Sequence, residues 1–325
     1  MSFIYSRCLL THILRCSRFS HFLNIFLSFF LSYLLFFPQL DDIQPKIFAP
    51  VHTDYDIITN TTGPRLLCMV LTTPENYLTK AVHVKATWGR RCNTLLFISS
   101  SEGGLITEYL VPEVVSDLEV REVTGVHGRK NLWPKVKLGL TIIWRDYAGL
   151  FDFLVKADDD TFIIVDNLKQ LLKTKSSEEP LILGHYQEDR GVGYMSGGSG
   201  YVLSQAAVRD IVETGLGGDQ PCHLPHPVGQ EIEVYPNEDL QMGKCATLLD
   251  IKFYSSEISG QSTFLPFPIA DLLVPGLRPQ WWVDRTKECS TRIQCVSKHL
   301  ISMHYVTPEM MYAYQYLTTQ FIRHI

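Results

Sequence analysis

From Met1 to Leu40 the chain contains no Asp and no Glu. That stretch carries Arg7, Arg15 and Arg18, and between Phe19 and Leu40 its only ionisable side chains are His21 and Tyr33. At ~1.5 Å per helical residue, Phe19 to Leu40 reaches roughly 30 Å, enough for one membrane span. The basic flank predicts a cytosolic tail over 1–18, a signal anchor over 19–40, and the rest of the chain on the far side of the membrane. No small-x-small site follows the apolar run at Pro38-Gln39-Leu40-Asp41-Asp42, which disfavours a cleaved signal peptide. Other absences narrow the field further. With a formal net charge of −5 and no Lys/Arg run, there is no nucleic-acid footprint. Gly197-Gly198-Ser199-Gly200 has neither dinucleotide-fingerprint spacing nor the Lys of a P-loop, and no CxxC pair or zinc spacing occurs.

What is there suits an oxidising compartment. Residues 41–64, with Pro, Thr and Asp and no clear periodicity, read as a stem, and Asn60-Thr61-Thr62 within it is an N-glycosylation sequon. Of the eight cysteines, Cys8 and Cys16 fall in the predicted tail, leaving an even number beyond the anchor. Sequence proximity pairs Cys68 with Cys92, Cys222 with Cys245, and Cys289 with Cys295, although six cysteines allow fifteen connectivities and free buried thiols are the alternative.

The remainder, 65–325, alternates strand and helix. Leu66 to Leu71, Thr94 to Ile98, Phe151 to Val155 and Leu181 to Leu183 are apolar runs of strand length. Tyr77 to Trp88, Asn131 to Tyr147, Val165 to Lys173 and Gln205 to Thr214 read as helices. This order predicts an α/β fold, a mainly parallel sheet flanked by helices. Asp158-Asp159-Asp160 directly follows one of those strands. Three carboxylates at a strand end suit a hard divalent cation that keeps positions free for substrate phosphates. The competing reading is a solvated acidic turn.

Four ordered blocks decide between these readings. They are Leu154-Val155-Lys156-Ala157-Asp158-Asp159-Asp160-Thr161, Tyr194 to Ser204, Asn237 to Cys245, and Met303-His304-Tyr305-Val306, with Lys85-Ala86-Thr87-Trp88-Gly89-Arg90 upstream. Together they resemble the inverting β1,3-glycosyltransferases of family 31, and within them the core 1 β1,3-galactosyltransferases, over roughly 65–317. The resemblance implies a GT-A type Rossmann-like fold, a Golgi type II membrane protein, and transfer of galactose from UDP-galactose to the 3-hydroxyl of Ser/Thr-linked N-acetylgalactosamine on glycoproteins. It implies Mn²⁺, with Mg²⁺ as the alternative, and a homodimer is compatible with it. A fringe-like N-acetylglucosaminyl transferase and a non-catalytic chaperone relative are the other readings, the second disfavoured because the metal motif is present.

The resemblance also implies roles. Asp158, Asp160 and His304 hold the metal; without it, His304 reads as an ordinary core or surface histidine. Asp239 is the base that deprotonates the acceptor, and Glu238 hydrogen-bonds acceptor hydroxyls; as residues alone, the two acids also suit a helix N-terminus. Thr72, Arg90, Lys156 and Asp159 are placed on the donor, with a solvated helix end as the alternative for Arg90 and, since apolar residues flank it, pairing with an Asp of the acidic run as the alternative for Lys156. Gly198 and Trp282 are placed on the acceptor, with a tight turn and core packing as their alternatives. Cys289 and Cys295 stand apart where many members have adjacent cysteines.

Overall fold

The computed structural model describes residues 63–101, 118–124, 131–189, 191–217, 222, 237–257, 260–274, 277 and 295–321. All lie in a compact unit, Asn60–Ile325. The predicted tail, the anchor, most of the stem with Asn60, Trp281, Trp282 and Cys289 lie outside the described residues. Among the described residues, no helix is long and apolar enough to cross a membrane.

Strand β1 (Leu66–Leu71) is buried at every position, as an apolar run covered on both sides must be. Its neighbours are β2 (Thr94–Ser101) and β4 (Phe153–Asp158), both parallel to it, and β3 (Val120–Thr124) extends the sheet beyond β2. Beyond β4 come β9 (Tyr201–Ser204), β6 (Leu181–Gly184) and β10 (Lys252–Ser255), so the sheet has seven strands in the order β10-β6-β9-β4-β1-β2-β3. Strand β9 runs antiparallel to both its neighbours, and every other pairing in the sheet is parallel.

Alternation along β1 divides two cores. Leu66, Cys68 and Val70 face one, and Leu67, Met69 and Leu71 the other. Helix α1 (Val82–Ala86) contributes Val84 to the first. Helix α2 (Leu132–Tyr147) lays Val136, Leu140 and Ile143 on the second, at helical spacing. Helix α3 (Val165–Leu172) lays Val165, Leu168 and Leu172 on the first. The predicted helix over 77–88 is broken. Tyr77–Ala81 forms a π turn, α1 follows, and Trp88–Arg91 closes as a 3₁₀ turn, where the buried Trp88 and the disulfide Cys68–Cys92 pull the chain onto β1. The helix predicted from Gln205 likewise shortens to α4 (Gln205–Arg209) before a π turn over Asp210–Gly215.

Two smaller units position the site. Strands β7 (Tyr186–Asp189) and β8 (Val192–Met195) form an antiparallel hairpin, and β8 leads into the glycine segment. Strands β5 (Phe162–Ile163), β11 (Phe264–Leu265) and β12 (Ser302–Met303) form a second sheet. Helices α5 (Glu238–Leu248), α6 (Ile269–Leu273) and α7 (Pro308–Tyr316) complete the described elements. The second disulfide, Cys222–Cys245, anchors α5. Cys295 is also disulfide-bonded, and Cys289, the partner expected for it, lies outside the described residues.

Candidate metal centre and active site

Strand β4 ends at Asp158, whose register partner is Leu71, the last residue of β1. The turn that follows is closed by Thr161 N–H to the Asp158 carbonyl (3.1 Å) and by Asp158 N–H to Thr161 Oγ1 (3.2 Å). Beyond the turn, β5 pairs antiparallel with β12, Phe162 opposite Met303. Because β5 begins two residues after Asp160 and β12 ends one residue before His304, that pairing carries a residue from far along the chain to the acidic turn. His304 Nε2 lies 3.2 Å from Asp160 Oδ1 and 3.8 Å from Asp158 Oδ2. One ligand atom from each of the three residues falls within 4.8 Å of the others. Two carboxylate oxygens and an imidazole fit Mn²⁺ or Mg²⁺, with the remaining positions left to water or phosphate oxygens.

Each of the two carboxylates has its other oxygen held by a lysine. Lys156 Nζ is 2.8 Å from Asp158 Oδ1, and Lys80 Nζ is 3.1 Å from Asp160 Oδ2. Burial opposes ionisation of Asp160, but His304 and then Lys80 outweigh it and hold its carboxyl at about 2. Asp159 points away from the triad: its Oδ2 accepts from Thr72 Oγ1 (2.8 Å) and Asn76 Nδ2 (2.9 Å), and Lys80 lies 3.3 Å from Oδ1. Burial pushes the Asp159 carboxyl up from its usual range. Thr72, one residue beyond β1, is buried, and its carbonyl accepts from Lys135 Nζ. Burial draws Lys135 down to about 8.

The glycine segment separates two halves of the site. Gly197 N–H donates to Asp239 Oδ2 (3.0 Å), at the first turn of α5, and the Gly197 carbonyl accepts from Lys156 Nζ (3.1 Å). On the other side, a Cβ at Gly198 would fall 2.3 Å from the His304 ring, so only glycine lets that ring lie against the backbone. Thr161 Oγ1 closes the arrangement on the Gly198 carbonyl at 2.9 Å. Asp239 is partly exposed, whereas its neighbour Glu238 is buried. Tyr201 O–H donates to Glu238 Oε1 (2.6 Å), and Lys156 lies 3.5 Å from Oε2. Burial pushes Glu238 up, with Lys156 acting against it.

Asp158, Asp160, His304, Asp239, Thr72 and Asp159 are thus brought together beyond the ends of β1 and β4, and the structure also places Lys156, Glu238, Gly198 and Arg90. Lys156 is buried with its ammonium directed at Asp158, Gly197 and Glu238, which is the pairing with the acidic run that its apolar flanks allowed. Glu238 has both oxygens facing protein partners, Tyr201 and Lys156. Gly198 makes room for the His304 ring. Arg90 is exposed in the 3₁₀ turn that leads to Asn93, whose N–H bonds the carbonyl of Leu66. Leu66 starts β1 and Leu71 ends it beside Asp158, so Asn93 lies at the opposite end of β1 from the acidic turn, a strand length of ~17 Å at ~3.3 Å per residue.

Lys80 and Lys135 were not anticipated. A lysine within a helical segment ordinarily reads as a solvated face. A signal exists for Lys135, which falls four residues before Gly139 and eight before Ile143, on the stripe that α2 buries. None was found for Lys80, since the π turn that aims it at the carboxylates breaks the period.

The Fringe-like family profile matches residues 61–259. Glycoprotein-N-acetylgalactosamine 3-beta-galactosyltransferase 1 of Xenopus laevis is 33% identical over 267 residues, spanning 80% of this chain and 67% of that protein. Beta-1,3-galactosyltransferase 5 of Pan paniscus is 22% identical over 231 residues, spanning 62% of this chain and 71% of that protein. Among solved structures, the galactosyltransferase LgtC aligns over 74% of this chain and 87% of its own at 13% identity, with a TM-score of 0.39, a likeness too loose to bear on the fold.

Proposed function

The chain belongs to the Fringe-like family, and on that premise we propose that it is a metal-dependent inverting galactosyltransferase of GT-A type. It transfers galactose from UDP-galactose to the 3-hydroxyl of Ser/Thr-linked N-acetylgalactosamine on glycoproteins. The observation that carries this reading is the triad Asp158, Asp160 and His304 with Asp239 on the far side of the glycine segment. It gives the region beyond the ends of β1 and β4 both a cation site for a nucleoside diphosphate and a separate carboxylate for an acceptor hydroxyl.

Asp158, Asp160 and His304 would hold the ion, with Mn²⁺ preferred and Mg²⁺ the alternative. When bound, the ion supplies charge neutralisation for the departing UDP. Asp239 takes the proton of the acceptor 3-hydroxyl as that oxygen bonds to the anomeric carbon and the bond from that carbon to the β-phosphate oxygen breaks. The electron pair leaves with UDP, and attack from the opposite side inverts the anomeric centre. Gly197 N–H holds Asp239 at 3.0 Å and fixes the direction of the carboxylate. Asp159 and Thr72 border the donor side, and Trp282 is assigned to the acceptor.

The same reading places the chain in the Golgi membrane as a single-pass type II protein. Residues 1–18 form its cytosolic tail, 19–40 its anchor and 41–64 a luminal stem glycosylated at Asn60, with 65–325 catalytic and a homodimer as its assembly. Its test is transfer by the purified full chain, supplied in turn with UDP-galactose, UDP-N-acetylglucosamine and UDP-glucose and with O-linked N-acetylgalactosamine peptides. Galactose transfer to those peptides supports the reading. Preference for another donor moves the chain to a different transferase of the family, and no transfer with any donor makes it a binding relative.

A further inference from the structure

Lys156 occupies an inward-facing position of β4, on the same side of the sheet as Leu154, and is buried beside Tyr201. A buried ammonium is costly unless its N–H groups meet acceptors. Here they meet three, from three parts of the chain: Asp158 Oδ1 at 2.8 Å, the Gly197 carbonyl at 3.1 Å and Glu238 Oε2 at 3.5 Å. The first contact leaves Asp158 Oδ2 turned toward His304. The second fixes the peptide whose N–H holds Asp239. Glu238 supplies a counter-charge, itself held by Tyr201.

We propose that Lys156 is a positioning residue that couples the metal site to the base: one cation sets the ligand rotamer of Asp158 and, through Gly197, the orientation of Asp239. The proposal rests on the galactosyltransferase reading and deepens it. Lys80 offers the contrast. It holds Asp160 in the same manner, yet it stands in a separate turn, is about a third exposed, and among the described residues its ion pairs reach only the acidic turn. Of the two lysines, Lys156 therefore links both halves of the chemistry.

Lys156→Met alone would strand Glu238 as a buried carboxylate without its counter-charge and threaten the fold. The informative protein is the neutral pair Lys156→Met/Glu238→Gln, compared with Glu238→Gln and with the wild type, all as the full chain. Thermal unfolding, Mn²⁺ affinity of the enzyme without substrates by electron paramagnetic resonance, and kcat and donor KM at saturating Mn²⁺ are read on each. The pair variant is expected to unfold near the temperature of Glu238→Gln, to bind Mn²⁺ ~10 to 100-fold more weakly, as loss of an outer-shell partner does, and to keep a kcat at least ~10-fold lower when the metal site is filled, with donor KM unchanged. A folded pair variant with the Mn²⁺ affinity and kcat of Glu238→Gln would overturn the proposal. So would a loss confined to donor KM, which would make Lys156 a substrate contact. If the wild type itself binds no Mn²⁺, the metal reading falls and the coupling falls with it, and the wild-type measurement identifies that case.

Discussion

The imidazole of His304 lies against the backbone of Gly198, so close that a Cβ there would fall 2.3 Å from both Cε1 and Nδ1. No positive φ is involved at Gly198; the requirement is space alone. Gly198→Ala is therefore expected to fold and to displace the His304 ring from Asp160. Mn²⁺ binding should weaken by at least ~10-fold, the scale of a perturbed ligand orientation. Calorimetric titration of Mn²⁺ into the folded variant checks this, and an unchanged affinity would show that the ring has another way to reach the site.

Removal of the metal should abolish transfer. With two carboxylates and an imidazole converging within 4.8 Å, excess chelator is expected to silence the protein and added Mn²⁺ to restore it. Asp160→Ala should weaken UDP binding as well as turnover, since Asp160 would help hold the ion that would offset the charge of the diphosphate. Full activity in excess chelator would remove the triad as a catalytic metal site.

Acid should destabilise the fold through His185, at the junction of β6 and β7. Burial holds its imidazole neutral and lowers its pKa from the usual 6.5 to about 4. Between those values the unfolded chain binds the extra proton, so stability rises with pH across that window. The contribution is whole above pH ~6.5 and is lost as pH falls toward ~4, in total about 3 kcal/mol at 1.36 kcal/mol per unit. His185→Phe should flatten this part of the urea-unfolding profile. A slope identical to that of the wild type would assign the acid sensitivity to other groups.

Much of the main sheet was legible because its central strands are buried. Leu66 to Leu71 and the run ending at Asp158 read as apolar segments of strand length, and α2 and α3 announced themselves by apolar spacing. The reversed direction of β9 was not legible, because four buried residues look the same whichever way they run. Nor were β5, β11 and β12, which are two residues each and exist through their pairing. In the site, Asp158, Asp160, His304 and Asp239 came from residue type and resemblance together. What escaped was the ownership of hydrogen bonds. Pairing of Lys156 with the acidic run was foreseeable from its apolar flanks, but its ties to Gly197 and Glu238, and the bond between Glu238 and Tyr201, were not.

The disulfide Cys222–Cys245 closes a separation of 23 residues onto α5, the helix that begins with Glu238 and Asp239. Loop-closure entropy for that span amounts to about 3 kcal/mol. Cys222→Ala/Cys245→Ala should lose stability on that scale in urea unfolding while the folded fraction still binds Mn²⁺, because no triad member lies on α5. Loss of Mn²⁺ binding in folded protein would mean that α5 supports the metal site more directly than its contacts indicate.

The base can be separated from the metal by one substitution. Asp239 is tied to the site by Gly197 N–H at 3.0 Å, and its carboxylate accepts from the N–H groups of Gly197 and Leu240, neither of them in the triad. Asp239→Asn preserves size and an acceptor oxygen for Gly197 but cannot take the acceptor proton, so kcat should fall by roughly 10² to 10⁴. UDP and Mn²⁺ affinities should change little, because Asp158, Asp160 and His304 are untouched. A carboxylate that only offset the dipole of α5 would behave differently, lowering stability by ~0.3 to 1 kcal/mol and leaving the chemistry of the folded fraction intact. Thermal unfolding, UDP binding and kcat on a single preparation distinguish the two. A folded, donor-competent Asp239→Asn protein with near wild-type kcat would take the proton from some other group and dismantle the mechanism proposed for this site.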